Sequence, residues 1–131
     1  MSRKQIILDS CVWIAYFISS DSLHKRALSL ANEIEKYEVI VPEYILLEVV
    51  SVLKAQKYHK EAREFAKRIM QTGALLVSDP DLPEKSLRKC FEKANSKLSF
   101  VDSALLVLSK KYEVISFDKA LAKRLKKQHI A

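Results

Sequence analysis

Gln5-Ile6-Ile7-Leu8-Asp9 is an apolar run closed by an aspartate, and Val114-Ile115-Ser116-Phe117-Asp118 repeats the pattern near the other end of the chain. Short apolar runs of this kind read as buried strands. Longer stretches of helical period lie between them. Residues 21–36 place Leu23, Ala27, Leu30, Ala31 and Ile34 at amphipathic spacing. Residues 37–41 read as a strand stopped by Pro42, which suits the first turn of a helix running to about Gln56. Residues 59–72 form another helical pattern, with Gly73 as its C-cap. Residues 74–77 read as a short strand, 83–95 and 100–112 as helices, 114–117 as the last strand and 119–128 as a basic helix. This alternation predicts an α/β domain with a parallel sheet and helices on both faces. Ligands of such sheets sit beyond the carboxyl ends of the strands, where Asp9 and Asp118 fall.

The 131 residues suit one domain, residues 1–131, and with 49% hydrophobic and 30% charged residues the chain can bury a core. A net charge of +7 favours a polyanionic partner, nucleic acid first and an acidic membrane surface second. Gly73 is the only glycine, which excludes the Walker A and dinucleotide-binding loops, since both need several. Cys11 and Cys90 are too few for a disulfide scaffold and lack metal-ligand spacing, so a reducing cytoplasm is the expected compartment. Met1-Ser2-Arg3-Lys4 before an apolar run resembles a signal peptide, but Asp9 interrupts the run and no small-residue cleavage site follows. No apolar stretch approaches the ~18 residues of a membrane span.

Four acids stand out. Asp9 and Asp118 each close a strand, and each also suits the cap of a following helix. Glu48 lies in Tyr44-Ile45-Leu46-Leu47-Glu48-Val49-Val50-Ser51-Val52-Leu53, where apolar residues occupy nearly every face. A helix of that composition is expected to be largely buried, and a buried carboxylate needs a partner, a proton or a metal. Asp102 opens an apolar helix, and Ser99-Phe100-Val101-Asp102 matches a capping box. Hard oxygen donors without a His or Cys cluster select Mg²⁺ or Mn²⁺ over Zn²⁺, and a cation would relieve the mutual repulsion of packed carboxylates. His24, His59 and His129 are scattered.

These motifs resemble the PIN domain family, a metal-dependent ribonuclease fold that includes the VapC-type toxins. Asp9 in Ile7-Leu8-Asp9-Ser10-Cys11-Val12-Trp13-Ile14-Ala15 matches the first family acid, and Glu48 in Val41-Pro42-Glu43-Tyr44-Ile45-Leu46-Leu47-Glu48 the second. Asp102 in Phe100-Val101-Asp102-Ser103-Ala104-Leu105-Leu106 matches the third and Asp118 in Val114-Ile115-Ser116-Phe117-Asp118-Lys119 the fourth. Ser116 falls where the family often has a hydroxyl residue, whereas Cys11 stands where Ser or Asn is common. The resemblance implies a three-layer α/β/α fold with a mainly parallel central sheet of four to five strands. It implies an endoribonuclease that hydrolyses RNA phosphodiester bonds with a metal-activated water. Asp9, Asp102 and Asp118 would bind Mg²⁺ or Mn²⁺, and Glu48 would bind a second ion or hold the attacking water. Ser116 and Ser10 would orient carboxylates. A homodimer and a small cognate antitoxin are the partners implied.

Lys119, Lys123 and Arg124, with Lys126 and Lys127, crowd the last helix beside Asp118 and form a candidate track for RNA phosphates. Trp13, Tyr16 and Phe17 read as core or dimer contacts, and Cys90 as a packed thiol. The main alternative is a non-catalytic RNA-binding or protein-interaction module of the same fold, in which the acids serve as caps and ion pairs. A receiver-type phospho-acceptor with Asp79, or a phosphatase using Asp79-Pro80-Asp81, would give Glu48 no role or leave little chain after the motif.

Overall fold

A computed structural model describes residues 3–130. Met1, Ser2 and Ala131, and the side chains of residues 128–130, lie outside the described part, so the leader-like start and His129 are not placed further. The chain alternates as expected: β1 (Gln5–Leu8), α1 (Ser10–Phe17), α2 (His24–Glu33), β2 (Glu38–Pro42), α3 (Glu43–Ala55), α4 (His59–Thr72), β3 (Leu75–Leu76), α5 (Leu82–Cys90), α6 (Phe100–Leu108), β4 (Glu113–Ile115) and α7 (Lys119–Ile130).

The four strands form one parallel sheet in the order β3-β2-β1-β4. Consecutive side chains of a strand point to opposite faces. Ile6, Ile7 and Leu8 are consecutive and all buried, so both faces of β1 are covered, giving helix, sheet and helix layers. The chain builds outward from β1 to β3 and then returns to place β4 on the other side of β1. That reversal creates a switch point between the ends of β1 and β4. There the Asp9 N–H donates to the Ile115 carbonyl at 2.9 Å, so the two acid-bearing loops leave the sheet side by side.

Asp118 follows β4, which lies at the sheet edge. Two local expectations are corrected. Pro42 is the last residue of β2, extended and paired with Leu76, and α3 begins just after it. A missing N–H is tolerated at a strand end as well as at a helix start. Helix α3 is not buried all round: Ile45, Val49 and Leu53 face the core at four-residue spacing, while Leu47 is 67% exposed. Gly73 takes the left-handed cap of α4 at φ 65°, as its position predicted. Helices α5 and α6 end earlier than their patterns, which leaves a polar turn through residues 91–99 in front of α6.

Candidate active site

Asp9 sits where β1 becomes α1, 5% exposed, and caps that helix. Its Oδ1 accepts from the Ser10 N–H at 2.7 Å. Its Oδ2 accepts from the Ser116 hydroxyl at 2.6 Å and from the Cys11 thiol at 3.6 Å. Ser116 in turn accepts from the Asp118 N–H at 3.0 Å, so one hydroxyl ties the two strand-closing acids together. The Ser10 hydroxyl donates to Glu48 Oε1, reaching from the start of α1 to the second turn of α3. A hydrogen-bonded chain therefore runs Glu48–Ser10–Asp9–Ser116–Asp118.

Asp102 stands at the start of α6. Its Oδ2 accepts from the Ser99 N–H at 3.2 Å and its own N–H donates to the Ser99 hydroxyl at 3.0 Å, completing the predicted capping box. One carboxylate oxygen remains outside that box. Burial pushes the Asp102 carboxyl above its ordinary range, and the charges of Asp9 and Asp118 push it the same way. Asp118 Oδ1 caps α7 through the Leu121 N–H at 2.9 Å. None of the four acids has a Lys, Arg or His ion-pair partner among the described residues. Burial raises the Cys11 thiol, and the Asp9 charge adds to the shift, so Cys11 stays protonated and can donate to Asp9.

The raised Asp102 carboxyl has a consequence for stability. A carboxyl whose folded pKa lies above its unfolded value destabilises the fold once pH rises past the folded value, and the penalty fades as pH falls toward the unfolded one. Asp102→Asn removes that charge and keeps an oxygen for the Ser99 N–H. With chelator present it is expected to raise Tm at pH 7 by roughly 1–3 °C, a small gain because Asp102 is only half buried. Calorimetry near pH 4 should find the gain gone. A lower Tm for the variant at pH 7 would contradict this reading of the site.

The donor set suits a hard divalent cation: four carboxylates, two hydroxyls and no cationic side chain in ion-pair contact with the acids. As placed, no three His, Cys, Asp or Glu side chains among the described residues stand close enough to hold an ion together. The Asp9 and Glu48 carboxylates are linked through Ser10, and Asp118 joins them only by its main-chain N–H on Ser116, its own carboxylate being turned to the α7 cap.

Asp102 and Asp118 line a cleft of about 820 Å³. Lys123, Arg124 and Lys127 line it from α7, and Lys93 and Lys97 from the turn before α6. Lys119 is exposed at the start of α7 but does not line the cleft. Lys93 and Lys97 escaped the sequence reading because their signal is tertiary. They lie nine and five residues before Asp102 in a polar segment that only the turn brings opposite α7. Asp79 and Asp81, the acids of the rival readings, are exposed in a turn, and Asp81 pairs with Lys85 at 2.9 Å.

No curated protein matches the chain. Among solved structures, the crystal structure of Mycobacterium tuberculosis VapC20, described as a sarcin-ricin-loop-cleaving toxin, is similar. It has a TM-score of 0.74 and 23% sequence identity, over 90% of this chain and 93% of that one. That likeness concerns the fold. The family model of the PIN domain matches residues 6–127, a span of nearly the whole sequence within which the four acids fall, so this chain belongs to the PIN domain family.

Proposed function

We propose that this chain is a Mg²⁺- or Mn²⁺-dependent endoribonuclease that hydrolyses RNA phosphodiester bonds, acting in the cytoplasm as the toxin of a toxin–antitoxin pair. The observation that carries the reading is the hydrogen-bonded chain from Glu48 to Asp118, set at the switch point beside a cation-lined cleft. Asp9, Asp102 and Asp118 would hold the ion. A bound divalent cation supplies Lewis acidity toward phosphate oxygens and makes a nearby water more acidic. Ser116 fixes the Asp9 carboxylate, and Ser10 holds Glu48 where its free oxygen can orient a water or take its proton. The cleft cations bind the phosphates on either side of the bond to be cut. Similarity to VapC20, described as a toxin, supports the toxin reading, and a small cognate antitoxin is the partner that reading calls for. A homodimer is proposed through the apolar groove between α3, α4 and β3, where Leu47, Met70 and Leu75 are exposed.

The test is cleavage of a mixed RNA pool with Mg²⁺, with Mn²⁺ and with chelator. The reading expects cleavage in both metals and none with chelator. Cleavage that survives chelation contradicts it. One observation favours a second reading: Asp9, Asp102 and Asp118 each cap a helix, which a non-catalytic RNA-binding module would also require. That module would bind RNA in either metal and leave it whole.

The cleft makes a separate prediction. Lys93→Ala with Lys97→Ala should weaken RNA binding and lower the slope of log affinity against log salt by about 0.7 for each phosphate no longer neutralised. Filter binding between low and moderate salt measures it. An unchanged slope would remove these two lysines from the RNA path while leaving α7 in place.

A further inference from the structure

A second groove lies on the far side of β4, between that strand and α7. It has a volume of about 790 Å³ and reaches from Lys4 to Ser116. Strand β4 pairs with β1 on one side, and no strand lies beyond it among the described residues. The Ile115 carbonyl accepts from the Asp9 N–H, so Glu113 and Ile115 turn their main-chain groups toward β1. Main-chain direction alternates along a strand, so Val114 turns its N–H and C=O to the open side. Its surroundings combine an apolar floor, including Ile115, Ala122 and Leu125, with a rim of Lys110, Lys111 and Lys126. Those three lysines are exposed and have no carboxylate partner among the described residues. The one acid of the rim, Glu113, is engaged by Lys4 at 3.1 Å.

We propose that the open edge of β4 is a docking seat for an extended, acidic segment of a partner protein, which adds to the sheet as a further strand. An exposed strand edge offers donors and acceptors at the spacing of another polypeptide main chain. Alternate side chains of an added strand would meet the apolar floor and the lysine rim, so a segment alternating acidic and aliphatic residues complements both. A nucleic-acid backbone would satisfy the lysines but would leave the main-chain groups and the floor unmatched. The proposal stands apart from RNA cleavage, since it uses none of the four acids.

The probe is a fluorescein-labelled eight-residue peptide alternating Glu and Val, titrated into the full chain without metal and followed by anisotropy. It should bind at least about tenfold more tightly than a Lys–Val counterpart or the same peptide N-methylated throughout, the loss expected when paired hydrogen bonds are removed. Hydrogen exchange at the Val114 amide should slow on saturation. The exposed charge-reversal variant K110E/K111E/K126E should prefer the Lys–Val peptide, with an unchanged melting profile as the control for folding. Equal binding of the N-methylated peptide, or unaltered Val114 exchange at saturation, overturns strand addition. Displacement of the peptide by an oligouridylate that the charge-reversal variant no longer binds would assign the groove to RNA instead.

Discussion

Asp9→Asn is expected to reduce RNA cleavage by at least ~10³-fold, the effect of withdrawing a few kcal/mol of charge stabilisation from a metal-assisted step. Asp9 is central by connectivity. Its two oxygens take hydrogen bonds from the Ser10 N–H and the Ser116 hydroxyl, and those two serines reach Glu48 and the Asp118 loop. Asparagine keeps an oxygen for the Ser10 N–H and remains a good N-cap, so α1 should still form. Its amide can donate to Ser116, which reverses one hydrogen bond without leaving it unmade. RNA affinity should stay within about twofold, because the phosphate-binding cations are on α7 and in the turn before α6 rather than at Asp9. Single-turnover cleavage beside filter binding separates the two effects. Parallel loss of binding and cleavage would mean that the variant has lost its fold or that Asp9 contacts RNA directly.

The largest effect on stability is expected at Phe65. Its side chain is fully buried on α4, with ring centroids 5.1 Å from Trp13 and 5.9 Å from Phe17. Both partners belong to α1, the helix that Asp9 caps and that carries Ser10 and Cys11. Phe65→Ala removes a whole ring from a packed cluster and should cost about 3–5 kcal/mol. In a domain of this size that lowers Tm by roughly 10–20 °C. Phe65→Leu, which keeps most of the volume, should lose much less. Thermal melts followed by circular dichroism give the comparison. A drop of only about a degree or two for the alanine variant would show that α4 does not clamp α1, contrary to the packing described.

The strand-closing aspartates and the capping box were legible in the sequence because they are local. A strand, a cap and a three-residue box each lie within a few positions, and the physics that forms them acts over the same span. Asp9 and Asp118 could be placed together because parallel neighbouring strands deliver their ends to one edge. Which strands were neighbours was not legible; β4 pairs with β1 and lies at the sheet edge. The environment of Glu48 was half right. Its helix exposes Leu47, so burial alone does not account for the acid, and its partner is the Ser10 hydroxyl rather than a lysine or arginine. Lys93 and Lys97 carried no local mark at all; only the turn before α6 sets them across from α7. Helix ends at residues 90 and 108 were overestimated because apolar spacing continues past the point where the backbone turns.

The proposed function has Asp9, Asp102 and Asp118 hold one divalent cation, with Glu48 beside it on the water. Anomalous diffraction from crystals equilibrated with Mn²⁺, at a concentration that supports cleavage, tests this most directly. The expected result is manganese bound by Asp9 together with Asp102 or Asp118, with the signal lost in Asp9→Asn crystals. Manganese bound elsewhere on an active protein, with these carboxylates left uncoordinated, would contradict it.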